Sequence, residues 1–241
     1  MMDKSAAEAF SVNARVKLRK SVELSMARLG IGEGNEPESI DSYGTTVVLN
    51  LPGGLKVTIT STEAGWRKKL IETVATEGYD NVVERVAYTW FNRLIAIRYM
   101  EVNDYLPTHV RVLSSIEADK DEPDIVTQCI RMADVFRLSE DEKNEIIDLR
   151  ERNRIDELFS KMFLYECRSL NAILPELFTE TKQYEKLLIN LSYTVPDGVV
   201  RELVDTVPEE DFRDAVQIIG WMYQYYNSEL KDKVFSDLKS A

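Results

Sequence analysis

The stretch NVVERVAYTWFNRLIAIRYMEVNDYLP, residues 81–107, decides the fold of this chain. Its apolar residues recur at intervals of three and four, which places them along one stripe of an α-helix. They are Val82, Val83, Val86, Ala87, Trp90, Phe91, Leu94, Ile97 and Met100. Asp80 can cap the start of this helix. The other faces carry more cationic and amide groups than packing requires, so we predict a long core helix that is broadly buried.

The composition indicates a protein with a hydrophobic core and no disulfide framework. With 241 residues, the chain is long enough for one large domain or two small ones. Its two cysteines, Cys129 and Cys167, are far apart and lack histidines at the spacing of a zinc site, so reduced thiols are expected. No run approaches the roughly 18 apolar residues of a membrane span, and Asp3 and Glu8 lie where a signal peptide would be apolar. We therefore expect a soluble, cytoplasmic protein without membrane contact.

The net charge of −12 is carried by the second half of the chain. Residues 1–112 contain 14 basic and 14 acidic side chains, whereas residues 113–241 contain 16 basic and 28 acidic ones. An acidic surface repels the phosphate backbone of nucleic acids. The second half is therefore a poor candidate for an autonomous DNA-binding unit, and a basic patch in the first half is the better one.

The chain is predicted to begin with a helix and a flexible connector. Ser5 and Glu8 form a capping box, and Gly30 can end the helix in the left-handed conformation. Gly30 and the glycines after it follow a helix rather than a strand, which is the wrong context for a phosphate-binding loop. We therefore expect residues 33–42 to be a flexible connector.

A β-hairpin is predicted at about residues 45–60. Two segments rich in β-branched residues, 45–51 and 55–60, flank Pro52-Gly53-Gly54, whose glycines supply the positive φ values of a tight turn. Two strands alone are marginal in water, so the hairpin must pack against helices or pair with other strands. The next helix is expected to start at Thr62 and Glu63.

The remainder of the chain is predicted to be helical. Thr108 to Ser115 is either a short strand or an extended linker, and the charged residues 119–123 are the best candidate for a boundary. Ser139 and Glu142 form a second capping box. The fold class is therefore mainly α, a helical lobe with one small hairpin. We expect a subdomain at residues 1–115 and an acidic, all-helical one at 116–241, unless the two form one continuous domain.

Two basic clusters in the first half are the candidate DNA-phosphate contacts, although a solvated helix face also explains them. The candidate residues are Arg15, Lys17, Arg19, Lys20, Arg67, Lys68 and Lys69. The second cluster lies in the first turns of a helix, where cations oppose the helix dipole.

No catalytic constellation emerges from the sequence. It contains no glycine loop after a strand, no Walker lysine, no nucleophile elbow and no zinc-protease helix. His109, the only histidine, has no constellation beside it and is expected to be a surface residue. We predict no catalytic, cofactor-binding or metal-binding residue. The aromatic rings of the last helix exceed what one face can bury, which favours contact with another chain or domain; they are Trp221, Tyr223, Tyr225 and Tyr226.

Three strings carry a resemblance to a known family. AYTWFNRLIAIRYMEVNDYLP at Ala87–Pro107, followed by Arg111-Val112-Leu113-Ser114-Ser115, resembles the N-terminal region of the adenine-specific DNA methyltransferases of BREX phage-defence systems. Residues 218–226, running on to Lys233-Val234-Phe235, and residues 4–15 are similar to it too. The resemblance spans the whole chain.

The resemblance implies a large enzyme that transfers a methyl group from S-adenosylmethionine to N6 of an adenine in double-stranded DNA. That family places a glycine-rich cofactor loop and an Asn-Pro-Pro-Tyr motif downstream of the matching region, and neither string occurs here. The chain is therefore expected to be the N-terminal helical portion, which is inactive alone, binds no cofactor, and meets the downstream catalytic domain and other phage-defence proteins. The alternative is a stand-alone helical adaptor or inhibitor. A reading frame that continues beyond Ala241 into both motifs would indicate the enzyme.

Overall fold

Ten α-helices and three β-strands make up the part of the chain described by this computed structural model, residues 4–213 and 215–228. The α-helices are α1 (Lys4–Arg28), α2 (Ser61–Glu77), α3 (Tyr79–Val102), α4 (Asp124–Thr127), α5 (Cys129–Val135), α6 (Glu140–Glu151), α7 (Ile155–Leu170), α8 (Val199–Thr206), α9 (Glu209–Phe212) and α10 (Gln217–Tyr226). The strands are β1 (Ser39–Tyr43), β2 (Thr46–Leu51) and β3 (Leu55–Thr60). The mainly α fold expected from the sequence is confirmed, and α3 is the long helix predicted first.

The β-hairpin is confirmed, but it belongs to a three-stranded antiparallel sheet in the order β1-β2-β3. Gly53 and Gly54 have φ values of 75° and 78°, as the tight turn required. The expectation of a flexible connector at residues 33–42 was wrong at its end, because Ser39 begins β1 and pairs with Asn50. Strand β1 is almost wholly exposed and shows little apolar alternation, so its sequence lacks the pattern by which a half-buried strand is recognised.

The chain divides into two compact units. Unit 1 comprises the residues up to Lys17, Phe91–Phe178 and the residues from Leu191 onward, and unit 2 comprises Leu18–Trp90 with Thr179–Asn190. The division therefore falls within α1 and within α3. The boundary expected at residues 115/116 lies inside unit 1.

In unit 2, Gly30 ends α1 in the left-handed conformation, as predicted. Gly30 has φ of +65°, and the N–H groups of Gly30 and Ile31 donate to the carbonyls of Ala27 and Met26 at 2.9 and 3.0 Å, the pattern of a Schellman motif. A Cβ on Gly30 would lie 2.7 Å from Cδ of Pro37. Glycine is therefore needed there for two reasons, backbone conformation and close packing.

Capping residues set the starts of two helices. The side chain of Thr60 accepts from the N–H of Glu63, and Glu63 accepts from the N–H of Thr60. This capping box starts α2 at Ser61, one residue before the predicted start at Thr62. Ser139 and Glu142 make the same reciprocal contacts at the start of α6, as predicted.

In unit 1, the aromatic side chain of Phe91 on α3 is fully buried between helices. Its ring centroid lies 6.3 Å from that of Phe10 on α1 and 4.4 Å from that of Tyr226 on α10. Tyr226 is therefore fully buried within unit 1 and Trp221 is half-buried, and contact of the rings of this helix with another chain or domain stays a prediction. The string Lys233-Val234-Phe235 lies outside the described residues.

The segment after α3 is not a strand; it is irregular and is held by a buried carboxylate. Both oxygens of Glu101 accept hydrogen bonds, Oε2 from the N–H groups of Val112 and Leu113 at 2.7 and 2.8 Å, and Oε1 from Nη1 of Arg98 at 2.7 Å. The Ser114 hydroxyl donates to Oε1 at 3.0 Å. The side chains of Glu101 and Arg98 are 0% and 1% exposed, so this ion pair is shielded from water.

We predict that Glu101→Gln lowers the free energy of unfolding of the chain by about 3 kcal/mol, because the buried Arg98 guanidinium loses the closer of its two counter-charges and an amide NH2 group then faces hydrogen-bond donors. Chemical denaturation monitored by circular dichroism measures this change.

The exposed Asp104→Asn variant serves as the control, since surface substitutions usually cost less than about 0.5 kcal/mol. Equal stability of the Glu101 and Asp104 variants would contradict a structural role for the buried carboxylate.

Candidate functional site

The seven predicted phosphate-contacting cations lie on α1 and α2, and two of them are held by carboxylates. Nζ of Lys17 donates to Oε2 of Glu202 at 2.8 Å, and Nη1 of Arg19 donates to Oε2 of Glu84 at 2.6 Å. Burial by itself lowers the pKa of Arg19, but the hydrogen bond and the charge of Glu84 outweigh it and raise this pKa above its ordinary value. Both cations are compensated by acids, which weakens their attraction for a phosphate group.

Arg67 is a buried structural cation. Its Nε donates to the carbonyl of Leu29, and its Nη2 donates to the carbonyl of Gly30 at 3.2 Å. These carbonyls lie just past the end of α1, where the last turn of a helix leaves acceptors without intrahelical partners. Burial lowers the pKa of Arg67. The guanidinium therefore closes the end of α1 and is engaged there, so its contact with DNA stays a prediction.

Three of the seven cations are exposed, namely Lys20, Lys68 and Lys69, and Arg15 is half-buried. Nζ of Lys69 lies 3.8 Å from a carboxylate oxygen of Glu72, at the limit of an ion pair. Lys20 lies on α1, and Lys68 and Lys69 lie on α2. We call these three exposed lysines the lysine surface.

A cluster of charges that the sequence did not predict lies in unit 1 around Glu209. This carboxylate accepts from Nη2 of Arg111 at 3.2 Å, and it lies 3.4 Å from Nη2 of Arg98 and 3.8 Å from Nη2 of Arg213. Burial by itself raises the pKa of Glu209, but the hydrogen bond from Arg111 and the charges of the three arginines outweigh it and lower this pKa. Glu209 therefore stays ionised among three guanidinium groups.

The sequence contained one sign of this cluster. The excess of cations on the faces of α3, which include Arg98, was visible in the sequence. Glu209, the acid of the cluster, follows Arg111 by 98 residues. No local pattern connects residues at that separation.

His109 lies at the surface of unit 1, as expected. Its side chain is 70% exposed, and Nδ1 lies 2.9 Å from Oδ1 of Asp104. Its φ of 51° is a left-handed conformation that non-glycine residues rarely adopt. The exposed imidazole of His109 and the exposed carboxylate of Asp104, five residues apart, therefore make a local contact within a turn.

Glu166 on α7 is a buried acid that the sequence did not single out. Its residue is 0% exposed, and neither carboxylate oxygen has a hydrogen-bond partner of normal geometry among the described residues. Burial raises the pKa of Glu166 to about 7, against a smaller opposing effect of the nearby Thr108 hydroxyl. This carboxyl group therefore titrates near neutral pH.

The cysteines are free and buried. Burial raises the pKa of Cys167 to about 12 and also raises that of Cys129, so both thiols are protonated and weakly nucleophilic at neutral pH. Within residues 4–213 and 215–228, no group of three His, Cys, Asp or Glu side chains could hold a metal ion. No helix in the same part of the chain is long and apolar enough to cross a membrane.

Two curated proteins are similar in sequence to this chain. The adenine-specific methyltransferase PglX of Lacticaseibacillus casei (strain Zhang) is 37% identical over 254 aligned residues, which cover 99% of this chain and 21% of the relative. The adenine-specific methyltransferase BrxX of Escherichia coli O9:H4 (strain HS) is 36% identical over 169 residues, covering 70% of this chain and 14% of the relative. The chain thus spans about a fifth or less of the length of these relatives. No protein-family model matches it.

We predict that Arg67→Met lowers the free energy of unfolding by about 1–3 kcal/mol, because buried carbonyls at the end of α1 lose their donors. Thermal or urea denaturation of the chain measures the effect. The neighbouring Lys68→Met variant removes the same charge from an exposed position and should change stability by less than about 0.5 kcal/mol. If the two variants are equally stable, the capping role of Arg67 is wrong.

We also predict that the chain loses stability as pH rises between about 4.5 and 7. The folded pKa of Glu166 lies above its ordinary value, so the folded state keeps a proton that the unfolded state releases in this window. The difference amounts to at most about 3 kcal/mol, at 1.4 kcal/mol per pKa unit. Glu166→Gln is neutral at every pH and should therefore be more stable than the native chain at pH 8 but not at pH 4.5.

Urea denaturation of both proteins across this pH window measures the difference in stability. The exposed Glu151→Gln variant is the control and should keep the pH dependence of the native chain. Parallel pH profiles for the Glu166 variant and the native chain would contradict the prediction.

Proposed function

Because the chain is homologous to part of the adenine-specific methyltransferases PglX and BrxX, we propose that it is the N-terminal, non-catalytic portion of a BREX phage-defence DNA methyltransferase. The complete enzyme transfers a methyl group from S-adenosylmethionine to N6 of a target adenine in double-stranded DNA. The observation that carries this proposal is the 37% identity along 99% of the chain. The rest of the enzyme supplies the cofactor loop and the catalytic motif, so this portion binds no S-adenosylmethionine itself.

The role of this portion is to help hold the DNA. An enzyme that acts on a base must take that base out of the stack, at a cost of a few kcal/mol, while the duplex stays in place. Contacts to phosphates position a protein on the duplex without reading its sequence. A helical element that carries exposed cations suits this task, because its backbone is ordered before the DNA binds.

The lysine surface is the part of the predicted clusters best suited to this contact. Lys20, Lys68 and Lys69 are exposed, whereas Lys17 and Arg19 face carboxylates. Arg67 contributes by fixing the end of α1 next to the start of α2. Lysine ammonium groups are flexible point charges that bind phosphate without strict geometry, which fits contact with a uniform backbone.

Docking of the downstream catalytic domain or of a defence partner is the second candidate role. Apolar side chains remain uncovered on the three-stranded sheet, where Ile40, Tyr43 and Leu55 are 50%, 66% and 55% exposed. Ile40 lies opposite the buried Leu49, so it shares the apolar face of the sheet. An exposed edge strand with apolar side chains is a surface to which another chain can add.

We predict that reversing the charges of the lysine surface, with Lys20→Glu, Lys68→Glu and Lys69→Glu in the full-length enzyme, weakens duplex binding and flattens its salt dependence. Each lost phosphate contact reduces the slope of log K against log salt by about 0.9, so the slope should fall by roughly 2–3. Fluorescence anisotropy with a labelled duplex at several salt concentrations measures both quantities.

A matched triple variant, Arg131→Glu, Arg152→Glu and Lys186→Glu, reverses three other exposed cations and should have a smaller effect. An unchanged slope for the lysine-surface variant would favour the docking role instead.

A further inference from the structure

Strand β1 forms one edge of the three-stranded sheet in unit 2. Four of its five residues are exposed, and β2 is its only strand neighbour in the sheet. A two-residue turn joins β1 to β2, so Tyr43 and Thr46, which lie opposite each other, are the hydrogen-bonded pair that closes this hairpin. Because such pairs alternate along an antiparallel ladder, Ile40 and Ser42 direct their backbone N–H and C=O groups away from β2. The outer edge of β1 therefore offers donors and acceptors to a further strand.

The sequence of β1 does little to block such an addition. Natural edge strands are often protected by lysine or proline residues, and β1 contains neither. Its single charged side chain, Asp41, accepts a hydrogen bond from Nδ2 of Asn50 on β2 at 2.8 Å, which holds the carboxylate over the sheet. Ile40 and Tyr43 are exposed and lie on opposite faces of the strand. An added strand would thus find one apolar side chain on each face.

The charge around this edge is negative. Between Arg28 and Lys56 the chain carries four carboxylates and no cation; the acids are Glu33, Glu36, Glu38 and Asp41. The carboxylates of the three glutamates are exposed and have no hydrogen-bond or ion-pair partner within residues 4–213 and 215–228. Lys56, the one cation in the strands of the sheet, lies on β3, the opposite edge. Charge complementarity therefore favours a cationic partner for β1.

A second copy of this chain is a poor occupant of the edge. Asp41 is the central residue of β1, so a symmetric antiparallel pair of β1 strands would place the two Asp41 carboxylates opposite each other. Like charges directly opposite in a sheet are destabilising. The net charge of −12 adds repulsion between copies. A basic segment encounters neither obstacle.

We infer that β1 binds an extended, basic segment of a separate protein as a fourth strand of the sheet, with a cation beside Asp41 and an apolar side chain beside Ile40. The inference rests on the docking role proposed above and names the class of partner and the mode of binding. Backbone hydrogen bonds supply affinity in strand addition, and the side chains on alternate faces supply selectivity. The lysine surface takes no part in it.

The test uses the full-length enzyme and two fluorescein-labelled heptapeptides. The first, Lys-Val-Lys-Val-Lys-Val-Lys, can extend as a strand; in the second, each valine is replaced by proline, which keeps the charge but removes backbone donors and favours a polyproline helix. Fluorescence anisotropy should show saturable binding of the valine peptide and binding at least about tenfold weaker for the proline peptide. Equal affinity of the two peptides would mean attraction by charge alone and would overturn the inference.

Two sets of variants test the edge from the side of the protein. Ser42→Pro removes an N–H that points away from β2, and proline is tolerated on edge strands, so the dissociation constant of the valine peptide should rise about fivefold or more. Glu36→Lys with Glu38→Lys should raise it by a similar factor. The matched control, Glu151→Lys with Glu180→Lys, makes the same change of net charge at exposed positions and should alter it less than twofold. The glutamate variants lie outside β1, so they decide the result if Ser42→Pro disturbs the sheet.

Hydrogen exchange followed by mass spectrometry identifies the bound edge. The valine peptide should slow exchange in a fragment that covers residues 38–44. Protection confined to other fragments, or no binding at millimolar peptide, shows that the inference is wrong. Slow exchange of this fragment before any peptide is added would mean that the rest of the enzyme occupies the edge, which also contradicts a separate partner.

Duplex binding by the same variants separates this inference from the proposed contact with DNA. All of them keep Lys20, Lys68 and Lys69, so their affinity for DNA should stay within about twofold of the native enzyme. Loss of peptide binding with normal DNA binding supports strand addition at β1. If peptide binding fails while the lysine-surface variant still weakens DNA binding, strand addition is wrong and the DNA role stands.

Discussion

The buried carboxylate of Glu101 is the contact on which the irregular segment after α3 depends. A chain segment without regular secondary structure has backbone groups that need partners when it is buried. Glu101 supplies acceptors from α3, and Asp124 does so from α4, accepting from the N–H of Ile116 at 3.0 Å. Glu209 on α9 binds Arg111 of the same segment. Three carboxylates from three helices therefore fix one loop.

Arginine and lysine have different tasks in this protein. The arginines discussed above mostly make directional contacts within the chain: Arg67 with two carbonyls, Arg98 with Glu101, and Arg111 with Glu209. Lysines 20, 68 and 69 remain exposed. A planar guanidinium with five donors can satisfy several acceptors at once, whereas an ammonium group on a flexible stem loses less by staying in water. A basic cluster in a sequence is therefore a mixture of structural and available charges, and composition alone does not separate them.

Local patterns in the sequence predicted what local physics determines. Apolar periodicity located α3, a serine and a glutamate located the start of α6, and Gly30 marked the end of α1. Strand β1 was missed because almost all of its side chains are exposed, so its sequence shows little alternation of apolar and polar residues. The charge cluster was missed for another reason, since Arg111 meets an acid 98 residues away. Periodicity shows which face of a helix is buried but not which segment covers it.

Contacts of the same kind give residues in the string Ala87–Pro107 a structural role that does not require them to take part in catalysis. Arg98 and Glu101 are buried together, and Val112, Leu113 and Ser114 complete the acceptor contacts of that carboxylate. Removing one member of a buried ion pair leaves an uncompensated charge, at a cost of several kcal/mol, so the members can change only together. Arg98, Glu101 and the segment 112–114 therefore have a structural role in this end of the protein that does not depend on catalysis.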